Sequence, residues 1–346
     1  MIKFIIPFLT SFFITVILII AGIFAGKKIK WHGRAASRHI HRAGVMRLGG
    51  VVMVIAFNLA ILLNRDLVIT PGLYGTMFAS LILLLVGAWD DIREIYWKIQ
   101  FFFQVALAVI VFIMGVRIYF ITNPLTGGIL NLDSGMGVIF SAILVIFWII
   151  LMINSMNWLD GVDGLSGGVT FIGALTIFFL SLKPEVNQPP VAILSMIVAG
   201  AALGFLIFNF NPSRILAGTS GSMFMGFILA ILAIFAGTKI ATSILVMAVP
   251  IIDCVWVIGE RIKNKKSIFK PDKMHLHYKL LELGWSQKKV AFYFYGVTIL
   301  IAVAALNTRF IGKTVTLLAA AAIMAVFLLI ISRKIPGKPP HQSYPL

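Results

Sequence analysis

The segment Asn154-Ser-Met-Asn157-Trp-Leu-Asp160-Gly-Val-Asp163-Gly-Leu165 holds the densest set of chemical groups in the chain. Asn154, Asn157, Asp160 and Asp163 recur every three residues, so on helical turns they share a face, and the glycines let backbone approach a ligand. Oxygen-only donors of this kind suit a hard cation such as Mg²⁺. A calcium turn is the competing pattern, but such loops are normally soluble, and this one joins two apolar runs. A second acidic pair, Asp90-Asp91, closes the run LILLLVGAW. A carboxylate at full membrane depth costs about 2.5 to 3.5 kcal/mol, so an adjacent pair there calls for cations, a metal or a cavity. A solvated helix end paired with Arg93 or Lys98 is the plainer alternative.

Three further segments favour anions. Asn209-Phe-Asn211-Pro-Ser-Arg214 leads into Gly218-Thr219-Ser220-Gly221-Ser222, ahead of a helix expected from about Met223. Backbone N–H groups and the positive dipole end there can hold an anion, though small residues also serve close helix packing. In Pro271-Asp-Lys273-Met-His275-Leu-His277-Tyr-Lys279 the two histidines alternate, so they lie together on an extended segment and apart on a helix. Metal ligation, acid–base work and diphosphate binding all remain open for them. With Lys273 and Lys279 alongside, anion binding is the most economical, against a solvated basic loop lying on anionic lipid. Arg47, directly before Leu48-Gly49-Gly50, is the residue of the basic first loop placed to meet a phosphate.

The elements that must position these groups are membrane helices. Of 346 residues 60% are hydrophobic and only 12% charged, with a mean hydropathy of +1.02; soluble proteins carry about 25% charged residues, so a soluble enzyme is excluded. Apolar runs predict eleven transmembrane helices, near 3–26, 48–63, 73–89, 99–116, 138–153, 166–182, 191–208, 223–238, 240–258, 290–307 and 314–332. The fold class is therefore all-α, a polytopic integral membrane bundle, with residues 1–332 as one unit and 333–346 as a short basic tail. The first run lacks a small-residue cleavage site and precedes a basic cluster, so it is read as a retained span. The single Cys254, inside an apolar run, excludes a disulfide framework and any multi-cysteine metal cluster. With the N-terminus outside and the C-terminus cytoplasmic, 22 of the 29 Lys and Arg residues fall inside, which accounts for the net charge of +17 without nucleic acid. Nine of the twelve acidic residues fall on the same face, and a topology signal needs only cations.

Taken in order, Arg47-Leu-Gly-Gly50, Asp90-Asp91, Asn154 to Leu165, Asn209 to Gly226 and His275-Leu-His277 resemble the polyprenyl-phosphate N-acetylhexosamine-1-phosphate transferase family. That family includes lipid-linked GlcNAc-1-phosphate transferases and the phospho-MurNAc-pentapeptide transferase, and the span count resembles the GlcNAc-type branch more closely. The resemblance implies attack of an undecaprenyl or other polyprenyl phosphate on the β-phosphorus of a UDP-sugar, UDP-GlcNAc first among them. UMP would leave, with Mg²⁺ or Mn²⁺ as cofactor, at the cytoplasmic face of the inner membrane in cell-envelope polysaccharide synthesis. Asp90 or Asp91 would deprotonate or orient the lipid phosphate, Asn157 and Asp160 would serve the metal, and Asp160 would also belong to the catalytic set. His275 and His277 would bind the diphosphate and Asp163 the uracil. Arg47, Asn154, Asn209, Gly218, Thr219, Ser220 and Lys273 complete the implied substrate contacts, and a homodimer is the implied assembly.

Three positions and one missing motif depart from the family pattern. Thr219 stands where a metal-binding Asp is usual, Leu216 where Phe is common, and Tyr278 in place of a third His; the first loop lacks the usual Asp-x-Pro-Asn. Asp90, Asp91, Asp160 or Asp163 is then expected to take over the metal charge. Two other classes compete with the enzyme. A non-catalytic relative that binds a lipid phosphate is favoured by Thr219 and disfavoured by the retained acidic face. A transporter would place its carboxylates at the bilayer midplane, whereas these lie at the ends of spans, and no internal repeat is evident.

Overall fold

Long apolar segments fold as helices because in hydrocarbon every backbone N–H and C=O must be bonded within its own segment. The computed structural model describes residues 1–29, 45–122, 128–237, 245, 247–265, 267, 274–308 and 310–334. Among these the helices are α1 (Ile2–Ile29), α2 (Gly49–Leu63), α3 (Pro71–Arg93), α4 (Trp97–Ile113), α5 (Met136–Leu159), α6 (Leu165–Ser181), α7 (Pro189–Asn209), α8 (Gly218–Phe235), α9 (Ala248–Lys263), α10 (Leu276–Glu282), α11 (Gln287–Asn307) and α12 (Phe310–Lys334). Seven of them, α1, α3, α5, α7, α8, α11 and α12, are long and apolar enough to cross a membrane, and α2, α4 and α6 are shorter apolar helices. The chain is a multi-pass helical membrane protein.

Ten of the eleven predicted runs meet an apolar helix, differing mainly at polar ends; the ninth, 240–258, meets α9 only from Ala248, and among the described residues α9 counts neither as a span nor as a shorter apolar helix. α3 continues to Arg93, so Asp90 and Asp91 are in its last turn; α5 continues to Leu159, so Asn154 and Asn157 are helical. α8 starts at Gly218, five residues before the expected Met223, because a carboxylate from α3 receives its first N–H groups. The short α10 and a two-stranded antiparallel hairpin, β1 (Phe120–Thr122) with β2 (Ile129–Asn131), were not foreseen from the apolar runs. Residues 240–244 of the ninth run and 335–346 of the tail lie outside the described residues.

α8 is the hub. Of its span 83% is buried, against 17% for Thr314–Ile331 in α12, and it packs on α5, α3, α2 and α6 while α1 lies along α7. The lipid-facing helices instead expose Ile139, Ile143 and Phe147 of α5 and Leu300 of α11, as an apolar solvent permits. Polar groups inside the bundle are paired across helices: Asn58 Nδ2 donates to Ser80 Oγ (2.9 Å), and Trp148 Nε1 to the Ala230 carbonyl (3.2 Å). Where α3 crosses α8 the backbones touch. A Cβ on Gly87 would lie 2.3 Å from Ser220 Cα, so only glycine permits this approach. Replacing Gly87 by Ala is expected to lower stability by about 1 to 3 kcal/mol through overpacking, whereas Gly259→Ala on α9, where a Cβ meets nothing within 4 Å, leaves it unchanged. Thermal unfolding of the two variants in detergent compares them; equal midpoints would mean that α3 and α8 part at no cost.

Candidate functional site

The site is built where α3 ends and α8 begins. Asp91 Oδ1 accepts the Thr219 N–H at 2.9 Å, and its Oδ2 accepts the Ser220 N–H at 3.4 Å and hydroxyl at 3.2 Å. The carboxylate thus sits on the unpaired donors of a helix N-terminus, where the dipole favours a negative charge. Arg47 Nη1 approaches the same Oδ1 at 3.3 Å. Asp90 Oδ1 accepts from Gln100 Nε2 (2.7 Å) and the Ile95 N–H (2.9 Å), and its Oδ2 accepts from the Thr219 hydroxyl (2.6 Å). The acidic pair is therefore held by Thr219, Ser220, Gln100 and Arg47, and among the described contacts Arg93 and Lys98 are not its partners. A carboxylate already occupies the anion position anticipated at the start of α8.

Arg47 is aimed by its neighbours. Met46 forms a parallel bridge with Ile215; the Leu216 N–H donates to the Met46 carbonyl, and the Gly49 and Gly50 N–H groups donate to the Leu216 and Ala217 carbonyls, each at 2.9 Å. Arg47 thereby joins Asn157, Asp160, Leu216, Gly218, Thr219 and Ser222 around a pit of about 60 Å³. Such a space takes an ion, a few waters or a phosphoryl group, so any larger ligand must extend outside it. Asn157 Oδ1 accepts from Ser222 Oγ at 2.7 Å, and Asp160 accepts from Ser166 Oγ. The Thr219 hydroxyl proton points to Asp90, which leaves its oxygen lone pairs for the pit.

The expected common face divides at the end of α5. Asn157 and Asp160 line the pit, while Asn154 Nδ2 donates to Gln104 Oε1 of α4 at 2.8 Å. Asp163 lies beyond the helix and is buried; its Oδ2 accepts from Asn211 Nδ2 (2.9 Å) and the Ser213 N–H (3.1 Å). Asn209 is buried too, donating to the Ile215 carbonyl and accepting the Gly164 N–H. Asp163 and Asn209 thus clamp the turn after α5 to the turn after α7. The face predicted from a spacing of three fails at Asp163 because the helix ends at Leu159.

His275 and His277 stack with ring centroids 5.7 Å apart and planes 8° from parallel, His275 preceding α10 and His277 within it. His275 Nδ1 lies 2.8 Å from Asp253 Oδ2, and Asp253 Oδ1 accepts the Leu276 N–H at 2.8 Å. His277 is fully buried, and neither ring nitrogen has a hydrogen-bond partner. It packs on Gly161, where a Cβ would come within 2.5 Å of its Nε2. Burial, reinforced by His275 beside it, lowers the His277 pKa to about 3, so the ring is neutral at physiological pH. Burial and the Asp160 carboxylate push the neighbouring Tyr278 phenol up. His277 as placed here supports the Asp160–Gly161 turn and offers no edge to a diphosphate. Lys273 lies outside the described residues.

Reading the motifs alone left Gln104, Ser166, Ser222 and Asp253 without roles. Asp253 carried a signal, an acid within Pro250-Ile-Ile-Asp-Cys-Val-Trp, since carboxylates inside apolar runs need partners. The serines carried none, because hydroxyls inside helices usually bond to their own backbone.

Residues 73–237 match the family model described as "Glycosyl transferase family 4". The chain is 30% identical over 327 residues to the decaprenyl-phosphate N-acetylglucosaminephosphotransferase of Mycolicibacterium smegmatis, covering 85% of this chain and 80% of that protein. This chain is a member of the polyprenyl-phosphate N-acetylhexosamine-1-phosphate transferase family. It is 28% identical to a probable undecaprenyl-phosphate N-acetylglucosaminyl 1-phosphate transferase of Bacillus subtilis, over 97% of the chain and 91% of that protein. It is also 30% identical to a phospho-N-acetylmuramoyl-pentapeptide-transferase of Bacillus pumilus, over 80% of the chain and 87% of that protein.

Members of this transferase family generally use Mg²⁺. Among the described residues no three His, Cys, Asp or Glu side chains gather to enclose a metal. The pit nonetheless offers hard oxygens from Asn157, Asp160 and Thr219, and Mg²⁺ is commonly held by one or two carboxylates with waters and substrate phosphates. The donor set fits such a shared site.

The buried His277 of this transferase has a pH consequence. Its folded pKa lies below the ordinary 6.5, so the unfolded chain takes up the proton first and stability falls as pH drops from about 6.5 towards 3. By pH 5 the loss attributable to His277 is about 2 kcal/mol. Unfolding of wild type and His277→Leu compared at pH 7 and pH 5 measures it: the variant is expected to lose less stability on acidification. Parallel losses would show that His277 is not held neutral.

Proposed function

We propose that this protein transfers a HexNAc-1-phosphate, with GlcNAc-1-phosphate as the preferred group, from a UDP-sugar to a polyprenyl phosphate. A terminal oxygen of the lipid phosphate attacks the β-phosphorus, the bond to the oxygen bridging the two phosphates breaks, and UMP leaves with that oxygen. The observation that carries this reading is the convergence of Arg47, Asp90, Asp91, Asn157, Asp160 and Thr219, from four separate stretches of chain, around one small oxygen-lined pit. The donor preference is supported by the relatives from Bacillus subtilis and Mycolicibacterium smegmatis, a probable N-acetylglucosaminyl 1-phosphate transferase and an N-acetylglucosaminephosphotransferase. The bias of Lys and Arg towards one face supports a cytoplasm-facing site with the N-terminus outside, in the inner membrane, and a role in cell-envelope polysaccharide synthesis follows from that reaction.

In this reading Arg47 has N–H donors beyond the one at Asp91 and clamps a phosphate, while Asp91 holds Arg47 in place. Asp90 orients Thr219 and, through it, the rim of the pit. Asn157 and Asp160 would hold Mg²⁺ together with substrate phosphate oxygens, and the ion when bound supplies charge neutralisation of the diphosphate. Gly218, Thr219 and Ser220 form the wall behind the phosphates; Asn154, Asn209 and Asp163 keep the surrounding turns in register. We read residues 1–332 as one catalytic unit.

One observation favours a second reading, a lipid-phosphate-binding relative without turnover: Thr219 closes the acidic pair through its own hydrogen bond, where a third carboxylate would require a cation. The two readings separate in an assay of the full-length protein with polyprenyl phosphate, Mg²⁺ and a panel of radiolabelled UDP-sugars. Labelled lipid is expected from UDP-GlcNAc, reduced at least tenfold in Asn157→Ala and Asp160→Ala. No labelled lipid from any UDP-HexNAc would sink the enzyme reading. Product formed only by Thr219→Asp would identify a degenerated site. If wild type turns over, the same substitution is expected to lower the Mg²⁺ concentration needed for half-maximal rate.

A further inference from the structure

Asp253 is the buried carboxylate that the proposed reaction does not use. It lies on α9, 2% exposed, and divides its two oxygens between one residue and the next: Oδ2 to the His275 ring at 2.8 Å, Oδ1 to the Leu276 N–H at 2.8 Å. The His275 ring also stacks on His277 at 5.7 Å and meets the Trp158 ring of α5 at 5.5 Å. Arg261, two turns further along α9 and itself buried, lies over the Trp158 ring at 5.1 Å. A flip of the ring would give up the Nδ1 contact with Asp253. A carboxylate accepts hydrogen bonds only, so at 2.8 Å the proton belongs on Nδ1. Nε2 is then the ring nitrogen with no hydrogen bond to the described residues.

We infer that Asp253 is the positioning residue of His275, fixing its ring and its tautomer with the proton on Nδ1, so that any contact this ring makes with a diphosphate, the role the family resemblance implies for it, is made through Nε2. Both rings are buried, but His277 has neither nitrogen bonded, whereas His275 is anchored through Nδ1 to Asp253. The orientation follows from the contacts alone; its effect on rate rests on the transferase reading above.

Asp253→Asn is the informative substitution. Asn keeps an acceptor for the Leu276 N–H but presents an N–H₂ group to Nδ1, which drives the ring proton to Nε2. Asp253→Ala removes both contacts and is the variant most prone to misfold, so the decision rests on Asn. Full-length protein labelled with ¹⁵N in the histidine rings, with His275 assigned through His275→Gln, reports the tautomer by NMR whether or not the protein turns over. Nδ1–H is expected in wild type and Nε2–H in Asp253→Asn. Wild-type His275 protonated only at Nε2, or an unchanged tautomer in the variant, overturns the inference. In the transfer assay Asp253→Asn is expected to lose roughly tenfold or more in kcat with little change in the KM for UDP-sugar, and to cost nothing further in a His275→Gln background. Losses that multiply in the double variant would show that Asp253 acts independently of His275, and would overturn it as well. An inactive wild type removes the transferase reading while the NMR result still decides the placement of the proton.

Discussion

The Asp91 carboxylate seated on the first turn of α8 is the contact on which the site depends. A helix that starts inside a membrane protein leaves N–H groups that water does not reach, and a carboxylate that ends a neighbouring helix needs donors; each removes the other's penalty. The hydrogen bonds to Thr219 and Ser220 fix where α8 begins and how far along α3 it crosses. The contact at Gly87, one turn earlier on α3, is the backbone approach that brings these groups within reach. Arg47 is then drawn to the same oxygen, and the strip from Met46 to Gly50 zips onto residues 215–217. Three elements meet at one carboxylate, and the pit is the space left among them.

Charge at this centre is balanced mostly by neutral donors. Asp90 is satisfied by a side-chain amide, a backbone N–H and a hydroxyl, and Asp91 by two backbone N–H groups, a hydroxyl and one guanidinium. Preorganised dipoles of this sort satisfy buried carboxyl oxygens without requiring a cation at every position. A hydroxyl at residue 219 is consistent with that economy, since it donates to Asp90 where a carboxylate would repel it. Any cation at the pit then answers to Asn157, Asp160 and the incoming phosphates.

Much of the fold was legible in the sequence, since hydropathy reports what each helix does in lipid. The boundaries were less legible. Runs were ended at the first polar residue, but α3, α5 and α8 extend through Asp90-Asp91, Asn154-Asn157 and Gly218-Ser222, because those polar groups bond to neighbouring helices and need no water. For the site, residue type identified Arg47, Asn157, Asp160 and Thr219, all of which line the pit. Spacing misjudged Asp163, since a period of three holds only while the helix lasts, and the glycines after Asp160 end it. The pairing of Asp253 with His275 spans a turn that no local pattern encodes.

The size of the pit bears on how donors are told apart. At about 60 Å³ it holds a phosphoryl group or an ion, not a sugar ring or a base. Phosphate and cation chemistry is therefore confined to the centre, and whatever distinguishes one UDP-sugar from another must act at its rim. Leu216 is the apolar member of the pit lining. An aliphatic side chain there gives a base or sugar a surface to cover but no ring to stack on. Discrimination then falls to polar contacts, and a site that hydrogen-bonds its ligand rejects an analogue lacking the matching group far more strongly than an apolar wall does. His277 and Tyr278 pack against Gly161, next to Asp160 of the pit lining.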